Sequence, residues 1–159
     1  MSGTRLLGDV SVGDTLPELG VDVTPTTVVL GALASRDWRP MHHDYKFATE
    51  RNGVQDIFLN TPNQAAWFER YITDWTGPKG RLGRMTFRMR TSVFPGDHMV
   101  FRAIVTAVGT DDIGCGWVGL DVTLAIGERV ASTCTTRVAL PVGENDNPWR
   151  RGVDDWRPN

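Results

Sequence analysis

The sequence predicts an α+β domain in which one long helix lies against a curved antiparallel sheet. Two observations carry this. Residues 61–76 form a single helical period that Gly77, Pro78, Lys79 and Gly80 bring to an end, and residues 84–141 read almost entirely as alternating strands broken by Gly- and Asp-rich turns. A lone amphipathic helix and a sheet with one apolar face must bury each other.

In chain order, Gly13, Asp14 and Pro17 punctuate an opening segment that leads into a short strand over residues 19–23. Thr24 is an N-cap with Pro25 at the first helical position, and Val28, Val29, Ala32, Leu33 and Ala34 recur at helical spacing. This helix delivers the chain to Asp37. Residues 44–55 are polar, with a turn at Asn52-Gly53, and Ile57, Phe58 and Leu59 tuck the chain under the core. Asn60 or Thr61 then caps the long helix, whose Ala65, Phe68, Ile72 and Trp75 share one face with Tyr71. Trp67, Phe68, Tyr71 and Trp75 stand at core spacing, with lining a pocket as the secondary reading.

The first long strand spans 84–93, with Met85, Phe87 and Met89 on one side and Arg84, Arg88 and Arg90 on the other. Phe94-Pro95-Gly96-Asp97 is a turn, and strands over 99–108, 115–126 and 130–140 follow. Residues 1–142 are thus expected to form one domain. The polar tail 143–159, with Trp149 and Trp156 as its large apolar groups, is expected to be a loose end or an arm docked on a partner.

The composition is that of an ordinary globular chain: 40% hydrophobic, 23% charged, net charge −2. That balance, without a Lys/Arg block, argues against nucleic acid as a partner. No apolar run reaches membrane-spanning length and the start lacks a secretory pattern, so no membrane is expected and a cytoplasmic location is. Cys115 and Cys134, each in a strand-like run, read as core thiols.

The chemistry concentrates in Asp37-Trp38-Arg39-Pro40-Met41-His42-His43-Asp44. Asp37 stands five residues before His42, and Pro40 between them breaks a continuous helix, so both side chains can turn toward one pocket. A carboxylate can accept a proton from water, and an imidazole, with an ordinary pKa near ~6.5, can give or take one near neutrality. The pair suits adding or removing water. The plainer readings are a helix-end aspartate for Asp37 and structural roles for His43 and Asp44, the latter capping the next turn. A metal pair at His42 and His43 is disfavoured, because adjacent residues of an extended stretch point opposite ways and no third ligand stands at ligand spacing. His98 reads as a surface strand residue.

This stretch resembles the signature of the MaoC-like (R)-specific enoyl-CoA hydratases, aspartate-x-asparagine-proline-aliphatic-histidine, and Val93-Phe94-Pro95-Gly96-Asp97 resembles that family's strand-end turn. More narrowly, Ala34 to Trp38 with His42-His43-Asp44, the run Gln55 to Asn60 and the run Arg70 to Pro78 look like the small catalytic chain of actinobacterial heteromeric hydratases acting on steroid side-chain enoyl-CoA esters. The resemblance implies a hotdog fold and hydration of a 2-enoyl-CoA thioester, with Asp37 and His42 as base and proton donor. It implies no metal or redox cofactor, since coenzyme A belongs to the substrate. The backbone N–H of Asn60 or Thr61, at the start of the long helix, is the implied oxyanion donor.

Three departures from the family pattern stand out. Arg39 occupies the asparagine position, Leu59-Asn60 replaces a histidine-glycine pair, and a serine carried along the helix is replaced by Phe68 or a neighbour. The last points to a cavity completed by another chain. Together with the exposed edge of a single hotdog sheet, it implies a homodimer or a heteromer with a second MaoC-like chain. Arg84, Arg88 and Arg90 suit the phosphates of coenzyme A or, equally, a solvated sheet face. The rival functions are an acyl-CoA thioesterase of the same fold and a non-catalytic acyl-CoA-binding subunit.

Overall fold

The computed structural model describes residues 3–158. Five antiparallel strands form one sheet in the order β1-β3-β4-β5-β2: β1 Leu19–Asp22, β2 Arg81–Met89, β3 His98–Thr110, β4 Gly116–Ile126 and β5 Arg129–Leu140. Helices α1 Pro25–Ala34, α2 Tyr45–Glu50 and α3 Thr61–Thr76 fill the connections between β1 and β2. Register shifts in the β2–β5, β3–β4 and β4–β5 pairs mark the irregularities by which strands bend around a helix.

The core lies between α3 and the inward face of the sheet. Strict alternation along β3 buries Met99, Phe101, Ala103 and Val105, and β4 buries Val118, Leu120, Val122 and Leu124. Against them α3 presents Phe68, Tyr71, Ile72 and Trp75. Phe68 meets Phe101 of β3 edge-on at 5.3 Å and lies 6.1 Å from Phe87 of the edge strand β2, so the helix packs across the width of the sheet. Gly77, at φ +73, ends the helix as expected.

The structure departs from expectation in four places. Of the expected apolar face of α1, only Val28 and Ala32 are buried; Leu33 and Ala34 face out, because α1 touches the core along a single edge where it crosses α3. The polar stretch after His43 contains α2, which starts because the Asp44 carboxylate accepts the Phe47 N–H at 3.0 Å. Strand β2 begins earlier and ends at Met89. Arg90 and Thr91 still donate to the Ala131 carbonyl of β5, and past them the Val93 carbonyl accepts the Leu59 N–H, tying the chain to the approach to α3.

The tail, expected to be loose or docked on a partner, packs on its own chain. Trp156 lies against Trp117 at 4.9 Å and under the Arg81 guanidinium at 3.7 Å, and the Trp149 Nε1–H donates to the Gly80 carbonyl. Cys115 and Cys134 are free and buried, and burial pushes the Cys134 thiol up to about 11. No helix among the described residues is long and apolar enough to cross a membrane.

Candidate active site

Asp37 is placed by the way α1 ends. Arg36 adopts the left-handed conformation at φ +53, its N–H donates to the Leu33 carbonyl, and the Asp37 N–H reaches back to the Ala32 carbonyl. This is the paired bonding of a Schellman stop, with arginine in the position usually taken by glycine. The chain then turns through Pro40–His42, a single 3-10 turn that buries His42 to 2% exposure.

His42 is held from both sides. Its Nδ1 lies 2.8 Å from the Phe58 carbonyl and its ring packs edge-on against the Phe58 ring at 4.9 Å. A carbonyl oxygen can only accept, so Nδ1 carries a proton, and whenever the ring is neutral its lone pair lies at Nε2. That nitrogen faces Asp37 Oδ2 at 3.5 Å. Two acceptors at this separation do not bond each other directly, but a water can donate one O–H to each.

Asp37 itself is heavily engaged. Arg39 forks onto it, Nε to Oδ1 at 2.8 Å and Nη2 to Oδ2 at 2.7 Å, and Asn60 Nδ2 donates to Oδ2 at 3.0 Å. The Arg39 guanidinium holds the Asp37 carboxyl well below the usual carboxylate range; partial burial pulls the other way, and the Asn60 amide adds to the lowering.

Asn60 does more than the sequence suggests. Expected as a backbone donor, it is 1% exposed and spends its side chain on three elements. Its Oδ1 caps α3 by accepting the Asn63 N–H at 3.1 Å, while its Nδ2 donates to Ser35 Oγ at 2.8 Å as well as to Asp37. The N–H groups of Asn60 and Thr61 donate to nothing else among the described residues and so stand free at the positive end of the 16-residue α3.

Gly31 sits where α1 crosses α3: a Cβ there would lie 1.8 Å from Asn63 Nδ2, so any larger residue must displace the Asn63 side chain that donates to the Thr27 carbonyl. Neither Ser35 nor Gly31 carries a local sequence signal for its role. The contacts span 25 residues for Ser35–Asn60 and 23 for Asp37–Asn60.

A cavity of about 250 Å³ opens beside these groups, lined by Arg39, His42, Asn60, Thr61, Gln64 and Arg90 among others; Asp37 is not among its lining residues. Phe68, expected in the position of the family's serine, points into the core, and the side chain that α3 sends to the cavity is Gln64, whose Oε1 accepts Ser132 Oγ–H at 2.7 Å. Of the three arginines, Arg90 alone lines the cavity. Arg84 and Arg88 lie exposed on β2, alternating with Met85 and Phe87, which pack on the core. His43, Asp44 and His98 lie outside the cavity lining: His43 bonds the Trp38 carbonyl, Asp44 caps α2, and His98 bonds Asp22 on the surface. Among the described residues no three His, Cys, Asp or Glu side chains converge to hold a metal ion.

No family model matches the sequence. The chain is 35% identical over 122 residues to the 3-oxo-4,17-pregnadiene-20-carboxyl-CoA hydratase beta subunit of Mycobacterium tuberculosis, covering 77% of this chain and 92% of that protein. It superposes on the crystal structure of the ChsH1-ChsH2 complex from the same organism with a TM-score of 0.76 and 31% identity, over 82% of this chain and 98% of that one. It also superposes on the (R)-hydratase from A. caviae with a TM-score of 0.73 and 22% identity, over 83% and 98% of the two chains, a likeness of fold. A helix on an antiparallel sheet, an Asp–His pair at the mouth of that helix and these relatives agree: the chain belongs to the MaoC-like (R)-specific hydratase family and carries its hotdog fold.

Proposed function

We propose that this hydratase-family chain adds water across the double bond of a 2-enoyl-CoA thioester, with Asp37 and His42 holding the attacking water and the N–H groups of Asn60 and Thr61 receiving the thioester oxygen. The observation that carries the reading is the facing pair of acceptors, His42 Nε2 and Asp37 Oδ2, 3.5 Å apart at the edge of a cavity that also holds the free N-terminus of α3. Hydration needs a water aimed at C3, a proton for C2, and stabilisation of the charge that gathers on the thioester oxygen. The pair supplies the first two and the helix N-terminus the third. The reaction so written uses no metal or redox cofactor, and coenzyme A arrives with the substrate. Arg90, at the cavity wall, is the residue we assign to the coenzyme A moiety.

We take the acyl group to be a steroid side chain and the working form to be a heteromer with a second hotdog chain. The curated relative is named a beta subunit of a pregnadiene-carboxyl-CoA hydratase, and a solved neighbour is a two-protein complex. The cavity's volume of about 250 Å³ also falls below the ~300–1,000 Å³ usual for small-molecule pockets, in keeping with a wall supplied by another chain.

The test follows the conjugated absorbance of crotonyl-CoA and of a steroid enoyl-CoA, with the purified chain alone and with a candidate partner. Loss of absorbance with the thioester intact supports hydration, and loss only with the steroid ester and the partner supports the narrower reading. Release of free thiol from saturated acyl-CoA would instead make the chain a thioesterase. Unchanged activity of the assembled complex after Asp37→Ala and His42→Ala would make the chain a non-catalytic subunit.

A further inference from the structure

We propose that Arg39 is a positioning residue that keeps Asp37 out of proton transfer and leaves His42 Nε2 as the one group that takes the proton from water and returns it to C2. The inference rests on the hydratase reading and deepens it, dividing the labour between two residues that otherwise share a role.

The geometry behind it is a count of acceptor sites. Asp37 Oδ1 accepts Arg39 Nε–H at 2.8 Å and the Arg39 backbone N–H at 3.4 Å, and Oδ2 accepts Arg39 Nη2–H at 2.7 Å and Asn60 Nδ2–H at 3.0 Å. A carboxylate engaged by a forked guanidinium and an amide can still orient a water, but it is a poor place to leave a proton, because protonation would break a charge-assisted pair. Arg39 and His42 line the cavity, whereas Asp37, held by the Arg39 fork, is not among its lining residues. His42 has the opposite disposition. It lines the cavity, its Nδ1–H is committed to the Phe58 carbonyl, and Nε2, 3.5 Å from Asp37 Oδ2, is left as the ring atom able to exchange a proton. The charged groups facing it are Asp37 and Arg39 from its own loop and Arg90 from the cavity wall beyond β2; the start of α3 contributes Asn60, Thr61 and Gln64, which carry no charge.

A water O–H bond breaks and its proton goes to Nε2, while the water oxygen forms the bond to C3. The C2–C3 π pair moves through C1 to the thioester oxygen, held by the Asn60 N–H. The enolate then collapses, C2 takes the proton from Nε2–H, and the neutral imidazole is restored. Asp37 remains a carboxylate throughout, holding the water's second hydrogen and steadying the imidazolium.

The experiment combines a direct titration with kinetics. Carbon-detected NMR of the Asp37 carboxyl, on the chain without substrate, is expected to show it ionised to the lowest pH at which the chain stays folded. In Arg39→Asn it should return toward the ordinary value near ~3.9. In Arg39→Lys, which keeps a charge without the fork and guards against a folding defect in the first variant, it should titrate between the two. With the chain, or its complex where hydration needs a partner, His42→Gln should lose roughly 100-fold or more in kcat. Adding Arg39→Asn to His42→Gln should recover about tenfold, with an acid limb in the carboxylate range, because the freed carboxylate can then accept the proton. Ordinary titration of Asp37 in the wild type would overturn the proposal. So would a His42→Gln variant within about tenfold of wild type, or a double variant no more active than His42→Gln. Absence of hydration by the wild type in every mixture would refute the hydratase reading instead, and the titration would still report whether Arg39 clamps Asp37.

Discussion

Asn60 joins three elements through one amide, and removing it tests whether that junction builds the site. In Asn60→Ala, α3 loses its cap, worth about 1 kcal/mol, and two donations disappear, one to Ser35 and one to a carboxylate. A neutral hydrogen bond contributes about 1 kcal/mol and one to a charged group about 1.5–3, so the variant should lose about 3 kcal/mol after allowing for overlap between terms. With a urea slope of roughly 2 kcal/mol/M, the unfolding midpoint should fall by about 1.5 M. Asn60→Asp separates capping from the contact with Asp37, since it keeps an acceptor for the Asn63 N–H but sets a second carboxylate where Nδ2 now lies 3.0 Å from Oδ2. At pH 7 it should be no more stable than Asn60→Ala. Like charges raise the proton affinity of the pair above its unfolded value, so the folded state binds the extra proton. The missing stability should therefore be present below the unfolded carboxylate value near ~4 and be lost as pH rises through the folded one. Urea titrations of the three proteins at pH 5 and pH 7 provide the measurement. An Asn60→Asp chain as stable as wild type at pH 7 would refute the contact between Asn60 and Asp37, and an unchanged midpoint in Asn60→Ala would refute the junction as a whole.

Gly31→Ala should destabilise by about 1–3 kcal/mol and reduce hydration with it, since the added methyl would meet Asn63 Nδ2 and force α1 away from α3; thermal melting and the absorbance assay read both effects. Arg36→Gly should stabilise by about 0.5 kcal/mol, because the left-handed turn at φ +53 strains any residue with a Cβ, while the looser unfolded chain offsets part of the gain. The lowered proton affinity of Asp37 gives stability that is present above the ordinary carboxylate value near ~3.9 and is lost as pH falls through the folded value; in Arg39→Asn the acid sensitivity attributable to Asp37 should shrink, which an acid-unfolding titration of the two proteins checks. Phe68→Ala should cost about 3–5 kcal/mol, read by denaturant unfolding, because its ring is fully buried between Phe87 and Phe101.

Much of this protein can be read one residue at a time. Thr24-Pro25 starts α1, Gly77 stops α3, Asp44 caps a turn, and the alternation of residues 84–140 makes a sheet whose apolar face requires a helix. These signals are local: they depend on backbone sterics and on periods of 3.6 and 2.0, which neighbouring residues express without the rest of the chain. The pairing of Asp37 with His42 was legible for the same reason, since Pro40 lies between them.

What the tertiary structure alone decided lies in contacts between distant segments. Nothing near Asn60 says that its amide will find Ser35 and Asp37, and nothing near Gly31 says that Asn63 will lie against it. Arg39 was visible as a departure from the family signature, but only the folded loop brings its guanidinium into a fork on Asp37 at the wall of the cavity. The tail behaved in the same way, its two tryptophans meeting Arg81, Gly80 and Trp117 of their own chain. In each case the deciding energy is a hydrogen bond or a packed ring made across the fold. Such contacts leave no period in the sequence, because their partners meet only after the helix and the sheet have closed on each other.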